Sequence, residues 1–287
     1  MRVLRTVAEL RSCRKDLSRT GSSVGFVPTM GCLHEGHLSL MRTARQQNDS
    51  VWVSIFVNPT QFGPNEDFER YPRTESRDIE LCRECGVEIL FIPPAREMYP
   101  EGSQTWVEVE HLPKALCGAS RPTHFRGVTT VVAKLFNLVQ PDRAYFGQKD
   151  AQQVIVLDRM TRDLDFPVRL VVCPTVRESD GLALSSRNVY LDAEQREQAV
   201  VLSQALAEAE ELFEKGERDP NKITEHIHNR IQAMPLARID YVSVVRTTNL
   251  QPAEKLDGGE LVALAVFFGT TRLIDNIVLG ERSLIDT

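Results

Sequence analysis

Two histidines three residues apart, His34 and His37, have the clearest potential for chemistry in this chain; they lie in the segment FVPTMGCLHEGHLSLMRTA. An apolar, β-rich run ends near Pro28, and the pattern predicts a helix that begins at about Gly36 or His37. Residues three apart share one helix face, so both imidazoles could reach one ligand. A helix N-terminus offers free N–H groups and partial positive charge to phosphate oxygens. Since Gly36 has no side chain, a flat adenine ring could lie close to the backbone there. A surface turn decorated with two histidines is the alternative interpretation.

Neutral amide side chains follow the next β-rich run, in SIFVNPTQFGPNEDFERYPRT. Asn58 and Gln61 would lie where this strand opens onto the same edge of the sheet. Amides at that place could bind a carboxylate, a hydroxyl or an amine without a competing charge. An ordinary Asn-Pro turn is the alternative for this segment when it is considered alone.

A third polar segment, RAYFGQKDAQQ, places Gly147, Lys149, Asp150 and Gln153 at a predicted strand-to-helix turn. Lys149 is a suitable cation for the phosphates of a nucleotide. Asp150 could cap the helix that follows or contact a ribose. The motif is short and becomes informative only together with the other segments.

A fourth segment, TVRESDGLALSSRN, contains two hydroxyls followed by a guanidinium, at Ser185, Ser186 and Arg187. This order predicts a loop that clamps a triphosphate, and a serine-rich turn at a domain boundary is the alternative. The chain has no Walker P-loop, and no G-x-G-x-x-G follows a predicted strand. A nucleotide site must therefore be built from the four segments above.

The elements that would position these segments alternate between strand and helix. Five apolar runs predict buried strands: SSVGFVPT, SVWVSIFV, VEILFIP, RAYFGQ and VRLVVCPTV. Four helical patterns lie between them: GHLSLMRTARQQ, DFERYPRTESRDIELCREC, VTTVVAKLFNLVQ and DAQQVIVLDRMTRDL. Such alternation predicts a doubly wound α/β fold with a parallel sheet, whose carboxyl edge binds ligands.

The pattern changes after about residue 176, which divides the chain into a domain at 1–176 and a smaller domain at 177–287. Two helical patterns come first, AEQREQAVVLSQALAEAEELFEKG and NKITEHIHNRIQAM. Two strand candidates follow, RIDYVSVVR and LVALAVFFGTTRLIDNIVL. This order predicts an α+β domain. A length of 287 residues is consistent with two unequal domains.

Charge and hydropathy exclude several classes of partner. The formal net charge is −6, with 34 basic and 40 acidic side chains, which disfavours a general nucleic-acid binder. The start of the chain lacks the apolar core of a signal peptide, and the longest apolar run, Leu261 to Phe268, is too short to span a bilayer. We therefore expect a cytoplasmic protein without a nucleic-acid or membrane partner.

The six cysteines are scattered, and only Cys82 and Cys85 form a C-x-x-C pair. The pair lies in a helical pattern without a second pair or a nearby histidine, whereas zinc and redox sites need further ligands or a catalytic turn. We interpret both as reduced thiols of a cytosolic protein.

Four co-linear segments together resemble the pantoate–β-alanine ligase (pantothenate synthetase) family: FVPTMGCLHEGHLSL, SIFVNPTQFGPNEDFERYPRT, THFRGVTTVVAKLFNLVQPDRAYFGQKDAQQ and LALSSRNVYL. The resemblance is dense over the first 190 or so residues and continues to the C-terminal strands. The H-x-G-H segment alone would indicate only the wider nucleotidyl-transferase superfamily. The resemblance implies a ligase of coenzyme A biosynthesis that uses ATP and (R)-pantoate to form pantoyl adenylate, which β-alanine then converts to pantothenate and AMP.

The resemblance also implies a set of site residues. His37, His34 and Lys149 would be catalytic, with His37 the proton donor. Gln61 would bind pantoate and β-alanine, and Gln153 and Asn58 would bind pantoate. ATP would contact Met30, Gly31, Cys32, Leu33, His34, Glu35, Gly36, His37, Gly147, Gln148, Lys149, Asp150, Val176, Leu184, Ser185, Ser186 and Arg187.

Further properties follow from the same resemblance. The family pairs a Rossmann-like domain with a smaller C-terminal lid, uses Mg²⁺ with ATP, and is usually a homodimer. The resemblance does not assign the residues that bind Mg²⁺, and Asp78 is one candidate. Cys32 stands where a small or polar residue is common, and its neighbours match the family.

Two other classes of function are consistent with parts of the sequence. A cytidylyl- or adenylyl-transferase would share the H-x-G-H segment, but the amides Asn58, Gln61 and Gln153 suit a small hydroxy acid better than a cosubstrate that carries phosphate. A non-catalytic nucleotide-binding module would not need His37, Lys149 and Arg187 together, since it stabilises no transferring phosphoryl group.

Overall fold

A computed structural model describes residues 1–64, 66–280 and 282–285. Six parallel strands form the larger sheet: β1 (Arg2–Leu4), β2 (Val24–Thr29), β3 (Ser50–Ile55), β4 (Ile89–Phe91), β5 (Arg143–Gly147) and β6 (Arg169–Cys173). Their order is β1-β4-β3-β2-β5-β6, with every neighbouring pair parallel. The predicted parallel sheet is therefore confirmed, with one additional edge strand.

Helices cover both faces of this sheet: α1 (Val7–Leu17), α2 (Glu35–Gln47), α3 (Glu75–Glu84), α4 (Ala95–Met98), α5 (Cys117–Ser120), α6 (His124–Val139) and α7 (Ala151–Asp163). Successive strand residues alternate between two apolar clusters, because side chains of a strand point to opposite faces. Phe26 and Trp52 belong to the cluster that includes α6 and α7, while Val27 and Val53 belong to the one that includes α2. Both faces are buried, which confirms the doubly wound arrangement.

A smaller antiparallel sheet lies in the C-terminal part of the chain and consists of β7 (Ala237–Arg246), β8 (Glu260–Phe268) and β9 (Thr271–Val278). It packs against α8 (Ala193–Ala199), α9 (Val201–Glu214) and α10 (Pro220–Gln232) through its own apolar cluster. The long C-terminal apolar run, predicted as one strand, is a hairpin whose turn includes Gly269 at φ 59°. The α+β architecture is confirmed, while the boundary at 176/177 stays a prediction.

The N-terminal elements β1 and α1 were not predicted from the sequence. Strand β1 is only three residues long and pairs with β4, so no run of apolar residues marks it. Helix α1 carries a capping box in which Thr6 and Glu9 bond each other's backbone N–H. Helix α3 begins at Glu75, later than predicted, because Pro72 disfavours helical geometry in the residue before it.

The order of strands reverses between β2 and β5, so the connections after these two neighbours diverge. A crevice opens at the carboxyl ends of strands at such a point. The H-x-G-H segment follows β2 and the Lys149 turn follows β5, so the fold brings the two predicted phosphate-binding segments together. Among the described residues no helix is long and apolar enough to cross a membrane.

Candidate active site

The loop between β2 and α2 is held in an unusual backbone conformation by a buried carboxylate. Gly31 and Cys32 have φ angles of 80° and 50°, and a Cβ at Gly31 would lie 2.9 Å from Ile55 Cγ2. Asp78 is 1% exposed, and its two oxygens accept the backbone N–H groups of Cys32 and Leu33, each at 2.9 Å. Thus the carboxylate that was a candidate Mg²⁺ ligand in the sequence is engaged in fixing the loop.

The two histidines lie together at the start of α2, with His34 as the N-cap residue and ring centroids 4.1 Å apart. Burial, reinforced by the charge of Lys149, lowers the pKa of His34 to about 4. Burial, with His34 and Lys149 as further causes, lowers the pKa of His37 to about 3. Both imidazoles are therefore neutral at pH 7. The backbone N–H of His34 donates to His37 Nδ1 at 3.3 Å, which places the proton of neutral His37 on Nε2.

Gly36 lies against the ring of His34. A Cβ at this position would lie 2.9 Å from Cε1 of His34, so the missing side chain makes room for that ring. Gly36 also lines the pocket, and the approach of adenine to its backbone stays a prediction.

The turn that carries Lys149 connects β5 to α7 in the same crevice. Its ammonium lies 3.6 Å from a carboxylate oxygen of Asp150, and its side chain is 20% exposed. Lys149 lines the same pocket as both histidines, and its charge contributes to the lowering of their pKa values. The carbonyls of Gln148 and Lys149 accept hydrogen bonds from Asn276 of β9.

Gln61 and Asn58 form a connected pair at the end of β3. Asn58 is 1% exposed and donates to Gln61 Oε1 at 3.0 Å and to the carbonyl of Gly127 at 3.1 Å. Thr60 and Tyr99 donate to its side-chain oxygen, so its amide is fully hydrogen-bonded within the protein. Gln61 Nε2 donates to the Met30 sulfur, which is a weak acceptor.

Sequence reasoning did not identify Arg121 and His124, although both line the pocket with Gln61. His124 Nδ1 lies 2.8 Å from the Gln61 carbonyl, and Arg121 donates to the same oxygen at 3.3 Å. Arg121 also forms an ion pair with Glu66. Burial, together with Arg121, lowers the pKa of His124 to about 4. The segment RPTHF, which includes the first two residues of α6, was the available signal.

Two neighbouring glutamines at the start of α7 have different environments. Gln152 is 5% exposed, and its amide bonds the backbone of Cys117, Leu112 and Ala115, so it supports the fold. Gln153 lines the pocket, and within the described part of the chain its amide makes no hydrogen bond. Gln153, which was predicted to bind pantoate, is thus the glutamine whose amide is available to a ligand.

The loop at 184–187 lies over the β2–α2 loop. Ser186 donates to the carbonyl of Cys32 at 3.2 Å, and Ser185 Oγ accepts the backbone N–H of Arg187 at 3.2 Å. Arg187 makes a bidentate ion pair with Asp67, with both distances 2.9 Å. The guanidinium predicted to clamp phosphates is therefore engaged with a carboxylate.

One pocket joins most of the predicted residues. Those that line it are Met30, His34, Gly36, His37, Asn58, Gln61, Gly147, Lys149, Asp150, Gln153, Val176, Leu184, Ser185, Ser186 and Arg187. Those that do not are Gly31, Cys32, Leu33, Glu35 and Gln148; the exposed Glu35 pairs with Arg42 along α2. The lining also includes residues that the sequence analysis did not name, among them Tyr71, Cys117, Tyr241 and Arg272.

The C-x-x-C pair lies at the end of α3. Burial, with the neighbouring Asp78 as a further cause, raises the pKa of Cys82 to about 12, and burial raises the pKa of Cys85. Both are free thiols. In the described ranges no group of three or more His, Cys, Asp or Glu side chains is arranged to hold a metal ion.

Comparisons with known proteins identify relatives over nearly the whole chain. The model of the family described as pantoate-beta-alanine ligase matches residues 2–278. Pantothenate synthetase from Acetivibrio thermocellus is 56% identical over 279 residues, covering 97% of this chain and 99% of the relative. The enzyme of the same name from Moorella thermoacetica is 58% identical, with coverages of 97% and 99%.

Solved structures agree with these relatives. The crystal structure of pantothenate synthetase from Thermus thermophilus has a TM-score of 0.92 and 50% identity, covering 96% of this chain and 99% of that one. The ligase from Francisella tularensis, complexed with beta-gamma ATP and beta-alanine, has a TM-score of 0.82 and 35% identity, covering 97% of each chain.

Proposed function

The chain belongs to the pantoate–β-alanine ligase family, and from that premise we propose which of its residues carry out the reaction. The enzyme condenses (R)-pantoate with β-alanine to pantothenate through pantoyl adenylate, and it releases AMP and diphosphate. One observation carries the assignment of roles. Neutral imidazoles and an ammonium line the same pocket as uncharged amides, at the point where the strand order reverses.

His34, His37 and Lys149 act on the phosphates of ATP. Attack of the pantoate carboxylate on the α-phosphorus concentrates negative charge on the α-phosphate and on the departing diphosphate. A preorganised donor stabilises such charge without reorganisation at the moment of reaction. Lys149 supplies the positive charge, and neutral His37 donates through Nε2–H, since its Nδ1 accepts the backbone N–H of His34. Bound phosphates raise the pKa of both histidines, because a nearby negative charge favours the protonated form.

Gln61 binds pantoate and β-alanine, and Gln153 binds pantoate. Among the described residues, Gln61 Nε2 donates only to the thioether sulfur of Met30, which a substrate oxygen replaces at small cost. Asn58 contributes by orienting the carbonyl end of the Gln61 side chain, because all its own polar atoms have partners. Two neutral amides therefore face the small substrates.

The residues of the pocket are consistent with Mg²⁺ that would be bound by the phosphates of ATP. The carboxylates of Asp78 and Asp67 are engaged with the protein, and the described residues provide no cluster of metal ligands. Mg²⁺ retains waters and binds substrate phosphates in many nucleotide sites. When bound, it neutralises phosphate charge, and the protein side chains act around it.

Residues 177–287 form a lid over the domain of residues 1–176, which binds ATP and pantoate. The enzyme is a cytoplasmic homodimer. Contacts of the 184–190 segment with the larger-sheet part of the chain support the lid. Ser186 bonds the Cys32 carbonyl, and Tyr190 OH donates to the Arg70 carbonyl at 2.9 Å. A wall at this place keeps water from the reactive adenylate.

Replacing Gln61 with alanine tests the assignment of the small-substrate subsite. We expect the KM values for pantoate and for β-alanine each to rise by about tenfold, as loss of one hydrogen bond to a charged group does. The KM for ATP should stay within about twofold of wild type. Steady-state assays of AMP formation with each substrate varied in turn measure the three values.

The matched control is Gln251→Ala, since Gln251 is an exposed glutamine in the turn after β7. It should leave all three constants unchanged. A Gln61→Ala enzyme whose defect is confined to ATP would place Gln61 in a different subsite from the one proposed.

A further inference from the structure

Strand β9 of the smaller sheet contacts the turn that carries Lys149. Asn276 is 4% exposed, and its Nδ2 donates to the carbonyl of Gln148 at 3.1 Å and to that of Lys149 at 2.9 Å. One side chain thus binds two successive carbonyls of the turn, from 127 residues further along the chain. Because two carbonyls require donors, the orientation of the amide is fixed.

Asn276 is itself held rigidly. Its backbone N–H donates to Asp275 Oδ1 at 2.8 Å, and the two lie on β9 in register with β8. Asp275 is 2% exposed and forms a bidentate pair with Arg177, at 2.6 and 3.0 Å. The Asn276 side chain that donates to the Lys149 turn is therefore held in place by strand β9 and by the neighbouring Asp275–Arg177 ion pair.

The position of this turn decides where the ammonium of Lys149 lies. A lysine is a point charge on a flexible four-carbon stem, so the backbone from which it starts limits its reach. A buried carbonyl without a donor costs about 1–3 kcal/mol, so loss of Asn276 would favour a shifted turn. A displacement of about 1 Å from a change outside the chemistry can reduce a rate by about 10²-fold.

We propose that Asn276 is a positioning residue for adenylation, which places Lys149 against the phosphates through two hydrogen bonds from the smaller sheet. The inference rests on the proposed role of Lys149 in the ATP site. Asn276 also lines the pocket, where its Oδ1 is buried and has no hydrogen-bond partner among the described residues. The proposed role depends on its Nδ2, which acts through the backbone of the turn. The C-terminal part of the chain thereby takes part in the first half-reaction, before the amine enters.

The test uses the full chain and measures exchange of labelled pyrophosphate into ATP with pantoate and Mg²⁺ present. For Asn276→Ala and Asn276→Asp we expect exchange to fall by at least about tenfold and the KM for ATP to rise, with the KM for pantoate unchanged. Asn276→Asp replaces the donating NH₂ by an oxygen that repels both carbonyls. Its activity relative to wild type should increase as pH falls, since a protonated carboxyl can again donate.

Asn249→Ala is the matched control, because Asn249 is an exposed asparagine of the same part of the chain whose side chain bonds its own turn. It should exchange at the wild-type rate. Asn276→Ser retains one donor and should lie between wild type and Asn276→Ala, which keeps the test available if the alanine variant folds poorly.

Wild-type exchange in the Asn276 variants, beside a Lys149→Ala enzyme that has lost exchange, would overturn this inference and leave the proposed function intact. Reduced exchange would indicate a merely structural role if three further results accompanied it: equal increases in the KM of pantoate and of ATP, a lower unfolding temperature, and no recovery of Asn276→Asp at lower pH. That outcome would also overturn the positioning role of Asn276. Normal exchange in Lys149→Ala would instead contradict the proposed function.

Discussion

Two loops face the pocket, and each is held by a carboxylate in a different way. In the β2–α2 loop, Asp78 accepts backbone N–H groups, so the side chains of His34 and His37 stay available to a ligand. In the loop at 184–187, the carboxylate of Asp67 binds the guanidinium of Arg187 itself. Asp78 therefore supports the functional side chains of its loop without binding them, whereas Asp67 binds one of them, the guanidinium of Arg187.

This difference predicts a preorganised half of the site and a half that rearranges when a phosphate binds. Donors that are already in position stabilise a developing charge without further cost. In the predicted ATP site, Arg187 would exchange Asp67 for a phosphate and would have an ion pair in either state. We therefore expect the chemistry to depend most on the first loop and closure of the pocket to depend on the second.

Replacing His37 with alanine should have the largest effect. Turnover should fall by at least about 10²-fold, as loss of a preorganised donor does. The midpoint of thermal unfolding should fall only by what loss of the hydrogen bond from the His34 N–H accounts for, about 1 kcal/mol, because the ring lines the pocket. AMP formation at saturating substrates and a melting curve measure both values. A His37→Ala enzyme with normal turnover would remove this residue from the mechanism.

Replacing the carboxylates of Asp78 and Asp67 by amides tests whether the two loops differ in this way. Asp78→Asn places an NH₂ group against backbone N–H groups, so kcat/KM for ATP should fall by about tenfold or more, with a loss of stability of about 1–3 kcal/mol. Asp67→Asn should release Arg187 and leave the KM for ATP equal to or below that of wild type. Denaturant unfolding and kinetics with ATP varied measure these changes.

Asp163→Asn is the control for that pair, since Asp163 is an exposed residue at the end of α7 that pairs with Arg159 on the same helix. It should behave as wild type. If Asp67→Asn impairs ATP binding as strongly as Asp78→Asn, the two loops do not differ in the way described.

A smaller effect is expected for the pH dependence of stability. The folded-state pKa values of His34, His37 and His124 are lowered to about 4, 3 and 4, against about 6.5 in an unfolded chain. As pH falls below about 6.5, the unfolded state takes up protons that the folded state does not, so the free energy of unfolding decreases. Their stabilisation is full above about pH 6.5 and is lost toward pH 4.

Urea unfolding at about pH 7, 6 and 5 measures this slope. His37→Asn should reduce it, because one proton fewer is taken up on unfolding. An unchanged slope in that variant would mean that His37 is already charged in the folded enzyme.

Local patterns in the sequence predicted the β2–α2 segment, the Lys149 turn and the alternation of strands and helices. The supports of these segments were not predictable in the same way. Asp78 bonds a loop 45 residues earlier, and Asn276 bonds a turn 127 residues earlier, so no periodicity or motif connects the partners. The contact between Gly36 and the His34 ring likewise depends on the fold and could not be predicted from the sequence.

We propose that pantoate is adenylated before the amine enters, by groups that surround the phosphates. Exchange of labelled pyrophosphate into ATP, with and without each substrate, tests it most directly. We expect exchange that requires pantoate and Mg²⁺, proceeds without β-alanine, and is abolished in Lys149→Ala. Exchange that strictly requires β-alanine would instead indicate a concerted reaction of three substrates and would rule out adenylation as a separate first step.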